Sequence, residues 1–219
     1  MFVSANPMSL FFFILTMFLA LASVLYGTFI SDRIRFKKLV CFLVIWNFLT
    51  TGIVLSGIIK ESFVPFSVLL FILINVTAVF FGLSSFSKPY LALPTKFLVL
   101  FHFFRFPLEL VLHSWSKTGT VPATMTWTGQ NYDIISGLLS VFALFPVFQN
   151  KRFYWFFNVI SLALLINVIR VVLMSSPLPF AWPLENPIQL LAYFPYHLVA
   201  TVGVWLALVG HIVLTRKLL

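Results

Sequence analysis

The stretch HFFRFPLELVLH, residues 102–113, sets His102, Arg105, Glu109 and His113 among Phe, Leu, Val and Pro. At about 100° per residue of α-helix, these four positions fall within roughly 80° of one another. They make one polar stripe, about 16 Å long at ~1.5 Å per residue. Arg105 and Glu109 stand at i and i+4, the spacing at which two side chains of one helix touch, so an ion pair between them is expected. Pro107 lies between them, removes a backbone N–H and frees the carbonyl of Phe103. A kink or a water-accepting notch is expected there. Such a stripe is either an internal ion pair that staples the helix to its neighbours or the wall of a polar cavity, and the sequence leaves both open.

Three short stretches further on carry the remaining candidates. GQNYD holds Asn131 and Asp133, INVIR holds Asn167 and Arg170, and FPYHL holds His197. A carboxylate at a helix start is favoured by the helix dipole, so Asp133 reads as a cap as well as a site group. Arg170 shares a helix face with Asn167 and reads as a snorkelling arginine or as a site cation. His197 follows Pro195 and reads as a packing residue or a base. The histidines do not read as a metal site. His211 lies about 21 Å along a helix from His197, His102 and His113 are too far apart to share an ion, and no HExxH or HxxxH spacing occurs. No metal and no cofactor is expected. A retinal-type Schiff base is disfavoured, because the last apolar run has no lysine until Lys217.

The elements that must position these groups follow from composition. Of 219 residues 61% are hydrophobic and 9% charged, against about 25% charged in a soluble domain. The apolar runs are about 20 residues long and unbroken, which is the signature of membrane helices and not of a barrel with ~10-residue alternation. The expected fold is all-α, a single polytopic membrane domain over 1–219, with seven transmembrane helices at about 8–29, 38–59, 64–84, 96–115, 132–149, 153–175 and 189–214. The first run lacks a basic leader and a clear cleavage site, and is expected to be retained as a span. One cysteine, Cys41, excludes an intramolecular disulfide.

The basic residues set the direction. Arg33, Arg35, Lys37, Lys38, Lys88, Lys96, Lys151, Arg152, Arg216 and Lys217 fall on one side of this arrangement. Only Lys60 and Lys117 fall on the other, with Arg105 and Arg170 inside spans. By the positive-inside rule the N-terminus is outside and the C-terminus cytoplasmic. The net charge of +9 is thus spread over short anchoring clusters, and no nucleic-acid partner is expected. Two long outer segments differ from the rest: residues 114–133 carry Gly119, Pro122, Gly129 and several Thr, and residues 175–189 carry Pro177, Pro179, Pro183 and Pro187. They are expected either to plug the bundle or to wall an outward-facing site.

The stretches NYDIISGLLSVF, INVIRVVL and FPYHLVATVGVW resemble the C-terminal half of the exosortase/archaeosortase membrane transpeptidases. The resemblance covers about residues 131–205. It implies that Arg170 stabilises an oxyanion and that His197 activates a nucleophile, with the site facing outward. The family's cysteine is replaced here by Ile135, followed by Ser136 and Gly137, and Cys41 is expected at the opposite, cytoplasmic end. Thiolate chemistry is therefore not expected at this site. The patterns FRFPLE and GQNYD also look like those of uncharacterised bacterial integral membrane proteins, which implies a bacterial inner membrane.

The expected site comprises Arg105, Glu109, His113, Asn131, Asp133, Asn167, Arg170 and His197, with no catalytic residue assigned. Besides the lipid bilayer, its expected partner is a peptide or a lipid-linked substrate arriving from the extracytoplasmic side. Two alternatives stand beside it: a small proton-coupled transporter that uses the stripe as its path, and a non-catalytic assembly subunit in which every buried charge is a staple.

Overall fold

A computed structural model describes residues 2–219. The chain is all-α, with no strand among the described residues. Six helices are long and apolar enough to cross a membrane: α1 (Pro7–Ser31), α2 (Arg33–Leu55), α3 (Phe63–Leu83), α4 (Thr95–Lys117), α6 (Lys151–Ser175) and α7 (Val199–Leu218). Between α4 and α6 lies a shorter apolar helix, α5 (Ile134–Leu144). The chain is a multi-pass membrane protein.

Local chemistry sets the helix ends. Asn6 caps α1 by accepting from the Ser9 N–H at 2.8 Å, with Pro7 at the first helical position, where its missing N–H costs nothing. Asp32 makes the corner between α1 and α2, accepting from the Ile34 and Arg35 N–H groups and pairing with the Arg35 guanidinium. The basic run Arg33–Lys38 is therefore helical, and α2 starts five residues earlier than the hydropathy pattern places it.

The last helix is the centre of the bundle. Within the apolar window of α7, 78% of the residues are buried, against 28–33% in α1, α2, α3 and α6. Those four expose apolar faces such as Phe11, Phe48, Phe80 and Ile166, as lipid-facing helices do. α3 and α6 both pack on α7 without packing closely on each other. The first turns of α7, Val199–Val204, are a π-helix. The Thr201 carbonyl in that stretch accepts from the Trp46 indole at 2.9 Å, so α2 is tied to the wider turn.

Two expected spans are corrected. Residues 189–198 are not helical beyond a short 3-10 turn, and α7 begins at Val199. The fifth span, expected over 132–149, holds one continuous helix of eight α and three 3-10 residues, roughly 16–18 Å long, and a separate 3-10 turn at Pro146–Phe148. The cause is the preceding segment, 118–133, which leaves the end of α4 and turns back into the bundle. Asn131 and Asp133 reach Glu109 and Arg105, about 12 and 18 Å down α4 from Lys117 at 1.5 Å per residue. α5 thus starts deep inside and needs only a short run to reach the far end.

An irregular segment at that depth must satisfy its backbone within the protein. It does so by internal bonds, Met125 N–H to Pro122 O at 3.0 Å, Gly129 N–H to Thr126 O at 2.9 Å and Gln130 N–H to Thr124 O at 3.1 Å. The Gln130 carbonyl accepts from the Asn167 side chain at 2.7 Å.

Candidate functional site

α4 passes through one 3-10 turn, Phe101–Phe104, directly before Arg105. The expected irregularity near Pro107 is this tightened turn, which contains the Phe103 carbonyl that the proline leaves free. From here His102, Arg105 and Glu109 all point inward and are buried.

Arg105 does not pair with Glu109. Its Nε donates to Asp133 Oδ2 at 2.5 Å and its Nη2 to Asp133 Oδ1, a two-pronged fit that matches the planar guanidinium to a carboxylate. Glu109 instead receives the side-chain amide of Asn131, at 2.9 and 3.0 Å to its two oxygens. The same NH2 group also donates to Met125 O at 3.1 Å, and Asn131 Oδ1 accepts from the Asp133 N–H at 3.0 Å. Asn131 is therefore the bracket that fixes the returning segment against α4. The i, i+4 spacing made the local acid the obvious partner. The returning segment supplies a second acid whose geometry suits the arginine better.

The arginine's third nitrogen leads to the far half of the bundle. Nη1 lies 3.1 Å from His211 Nε2, and Ser161 O lies 3.3–3.4 Å from the guanidinium. The tautomer of His211 follows from its neighbours. Thr215 Oγ1 donates to the His211 carbonyl at 2.9 Å, so it can only accept from Asn158 Nδ2 at 2.7 Å. That turns Asn158 Oδ1 toward His211 Nδ1 at 2.9 Å. Nδ1 then carries the proton and Nε2 accepts from Arg105. His102 stacks on this ring, with centroids 4.2 Å apart. Room for it exists because residue 210 is glycine: a Cβ there would lie 2.8 Å from His102 Nε2. Likewise α5 lies against α4 only because residue 137 is glycine, since a Cβ would come within 2.4 Å of the Phe106 backbone nitrogen.

Arg105, Glu109 and Asp133 line the floor of an open-mouthed cleft. Its walls are apolar, including Phe71 of α3, Leu165, Val168 and Val172 of α6, and Val204 of α7. The cleft occupies the gap that α3 and α6 leave over α7, and its upper rim is formed by Leu178, Ile188 and Leu190 of the segment before α7. His197 also lines it, with Nε2 3.2 Å from Thr51 Oγ1.

The other expected residues are placed apart from this floor. Arg170 is exposed, bonds Asn167 and Gln130, and lies over the Trp182 ring at 5.7 Å. It holds the returning segment and the segment before α7 together, and does not line the cleft. Asn167, beside it, holds the returning segment through the Gln130 carbonyl and accepts from Arg170. His113, half-buried, stacks on Trp127 at 4.2 Å. Ser136 is buried and donates to Asp133 Oδ1 at 3.1 Å, Ile135 is exposed, and Cys41 is exposed on α2. Two contributors escaped the sequence reading of the site, His211 and Asn158. Their only signal was being lone polar residues in apolar runs. Among the described residues no group of three or more His, Cys, Asp or Glu is placed to hold a metal ion. Compared with known family models, with curated proteins and with solved structures, the chain finds no match.

Proposed function

We propose that this is a seven-pass membrane protein, N-terminus outside, that binds a long-chain or lipid-linked molecule in the cleft between α3 and α6. The short α5 is the seventh crossing, made possible because its other half is the returning segment 118–133. The orientation rests on the basic residues. Lys151 and Arg152, the Arg33–Lys38 run, Lys88 and the Arg216–Lys217 pair all sit at one end of the bundle, which the positive-inside rule makes cytoplasmic. The bacterial inner membrane is the setting that the FRFPLE and GQNYD patterns suggest.

The cleft carries the proposal. An apolar-walled space beside lipid-facing helices, with polar groups on its floor, suits a molecule with an acyl or isoprenoid chain and one polar end. Its residues come from the outer half of the bundle and stop at Ala207 of α7, short of His211 and His102. That favours binding from the extracytoplasmic side over a path through the membrane, which would need a second conformation. A distant relation to the exosortases remains part of the proposal, supported by the shared stretches around Asp133, Arg170 and His197. The bonds of Arg170 assign it a positioning role, and no catalytic residue is proposed.

The test is identification of lipid that co-purifies with the protein, by native mass spectrometry. In Ala200→Trp, where a small lining residue becomes large, recovery of the bound lipid falls at least several-fold. Arg170→Ala leaves it nearly unchanged. Equal recovery from wild type and Ala200→Trp overturns the proposal.

A further inference from the structure

We infer that the molecule held in this cleft ends in an amine, and that Glu109 is the group that selects it. The inference rests on the cleft being the binding site. It begins with the charges on the cleft wall. The charged or basic residues that line it are Arg105, Glu109, Asp133 and His197. Arg105 is taken up on two of its nitrogens by Asp133 and on the third by His211. Glu109 has no cation on it among the described residues. Its two oxygens accept from one amide group, Asn131 Nδ2, and a carboxylate has about four acceptor positions. The floor therefore presents two acids against one guanidinium, with acceptor capacity left on Glu109.

A second observation points the same way. His197 is fully buried, lines the same cleft, and its Nδ1 has no hydrogen-bond partner. Buried polar atoms are nearly always partnered. Nε2 is taken up by Thr51 Oγ1, which leaves Nδ1 as the free polar atom of the ring. Two features of the wall thus have hydrogen-bonding capacity left, the Glu109 carboxyl group and the His197 imidazole.

An anionic end group finds no free cation here. Lys60 stands over the Tyr193 ring at 4.5 Å and Arg170 over Trp182 at 5.7 Å, and neither lines the cleft. A phosphate or carboxylate placed on the floor would find no cation free to pair with it in an apolar surrounding, since Arg105 is taken up by Asp133. A protonated amine can pair with Glu109 as its carboxylate and brings up to three N–H donors. Its alkyl chain then lies along Phe71, Leu165, Val168 and Val204.

The experiment measures binding of four probes with one common hexadecyl chain, an amine, an alcohol, a carboxylate and a phosphate monoester, to the purified full-length protein in nanodiscs. The readout is displacement of a fluorescent alkyl probe, with Ala200→Trp as the blocked control. The amine binds at least about ten-fold more tightly than the phosphate, the scale of one charge-assisted hydrogen bond. In Glu109→Gln that ratio falls to within about two-fold. If Glu109→Gln does not fold, the wild-type order of amine, then alcohol, then the two anions is itself the test. Phosphate binding equal to or tighter than amine binding overturns the inference and leaves the cleft standing. No displacement by any probe, or equal displacement in Ala200→Trp, overturns the cleft as well.

Discussion

Asp133→Asn is the sharpest probe of how the bundle interior is held. The substitution keeps the shape of the side chain and removes its charge. Arg105, buried to within 1% of its surface, then has a full positive charge and no anion bonded to it. The amide offers one oxygen to a fork that had two, and its NH2 group faces a guanidinium N–H. Breaking a buried ion pair from one side costs about 3–5 kcal/mol. For a chain of this size about 2–4 °C of midpoint corresponds to each kcal/mol, so a fall of roughly 6–20 °C is expected. The assay is heating in detergent followed by fluorescence-detected size exclusion. Two companions decide the cause. Arg105→Met combined with Asp133→Leu removes both charges and recovers most of the loss, since apolar replacement of a buried pair is near neutral. Glu109→Gln keeps an acceptor for Asn131 and costs about 1 kcal/mol. A midpoint for Asp133→Asn within about 2 °C of wild type, or equal damage from Glu109→Gln, refutes the assignment of Asp133 as the partner of Arg105.

Gly137→Val drives a side chain into the Phe106 backbone and sharply reduces the yield of monodisperse protein. Gly52→Ala, where an added Cβ meets nothing within 4 Å, leaves yield intact and raises the midpoint slightly, and equal yields from the two variants count against the α4–α5 packing. At the α1–α2 corner, Asp32 is held below the ordinary carboxylate range, first by the Arg35 backbone N–H and then by the Arg35 charge and side-chain bond. Folding lowers this pKa, so the cap's contribution is complete above about pH 4 and is lost as pH falls through the lowered value. Carboxylate NMR shows Asp32 titrating below the free value. Arg35→Ala, which keeps the backbone N–H, moves it only part of the way back, and no movement at all would remove the side chain from the account. In a Cys41→Ser background, Thr118→Cys is labelled by an impermeant maleimide from outside and Lys151→Cys is not; the reverse pattern would falsify the orientation.

The lipid-facing helices were readable in the sequence because their signal is local. Runs such as 64–84 in α3 carry no charged residue, and the ends of the helix coincide with Ser62 and Ser84. The expected fifth span was drawn too long because Phe145, Val147 and Phe148 continue the apolar run after the helix has ended. Nothing in hydropathy signals that residues 118–133 turn back inward. Similarly, FPYHL is apolar enough to suggest helix, while Pro183, Pro187 and Pro195 keep the approach to α7 irregular. The polar stripe of α4 was correctly read as inward-facing at His102, Arg105 and Glu109. Its pairing was not, because Asp133 comes 28 residues later and His211 106 residues later in the chain. A pair at i, i+4 can be read from one helix; a partner carried by another element appears only once the elements meet.

The central position of α7 has a consequence for biogenesis. Every helix that packs on α7 is synthesised before it, so the earlier helices enter the membrane around a space that is still empty. Until Asp133 leaves the ribosome, Arg105 is inserted with no acid other than Glu109 on its own helix. Until α7 arrives, its third nitrogen lacks His211. A chain interrupted after α6 would leave the Trp46 indole and the inner faces of α3 and α6 turned to lipid. Docking of α7 is thus the step that brings the separately inserted segments together into one body.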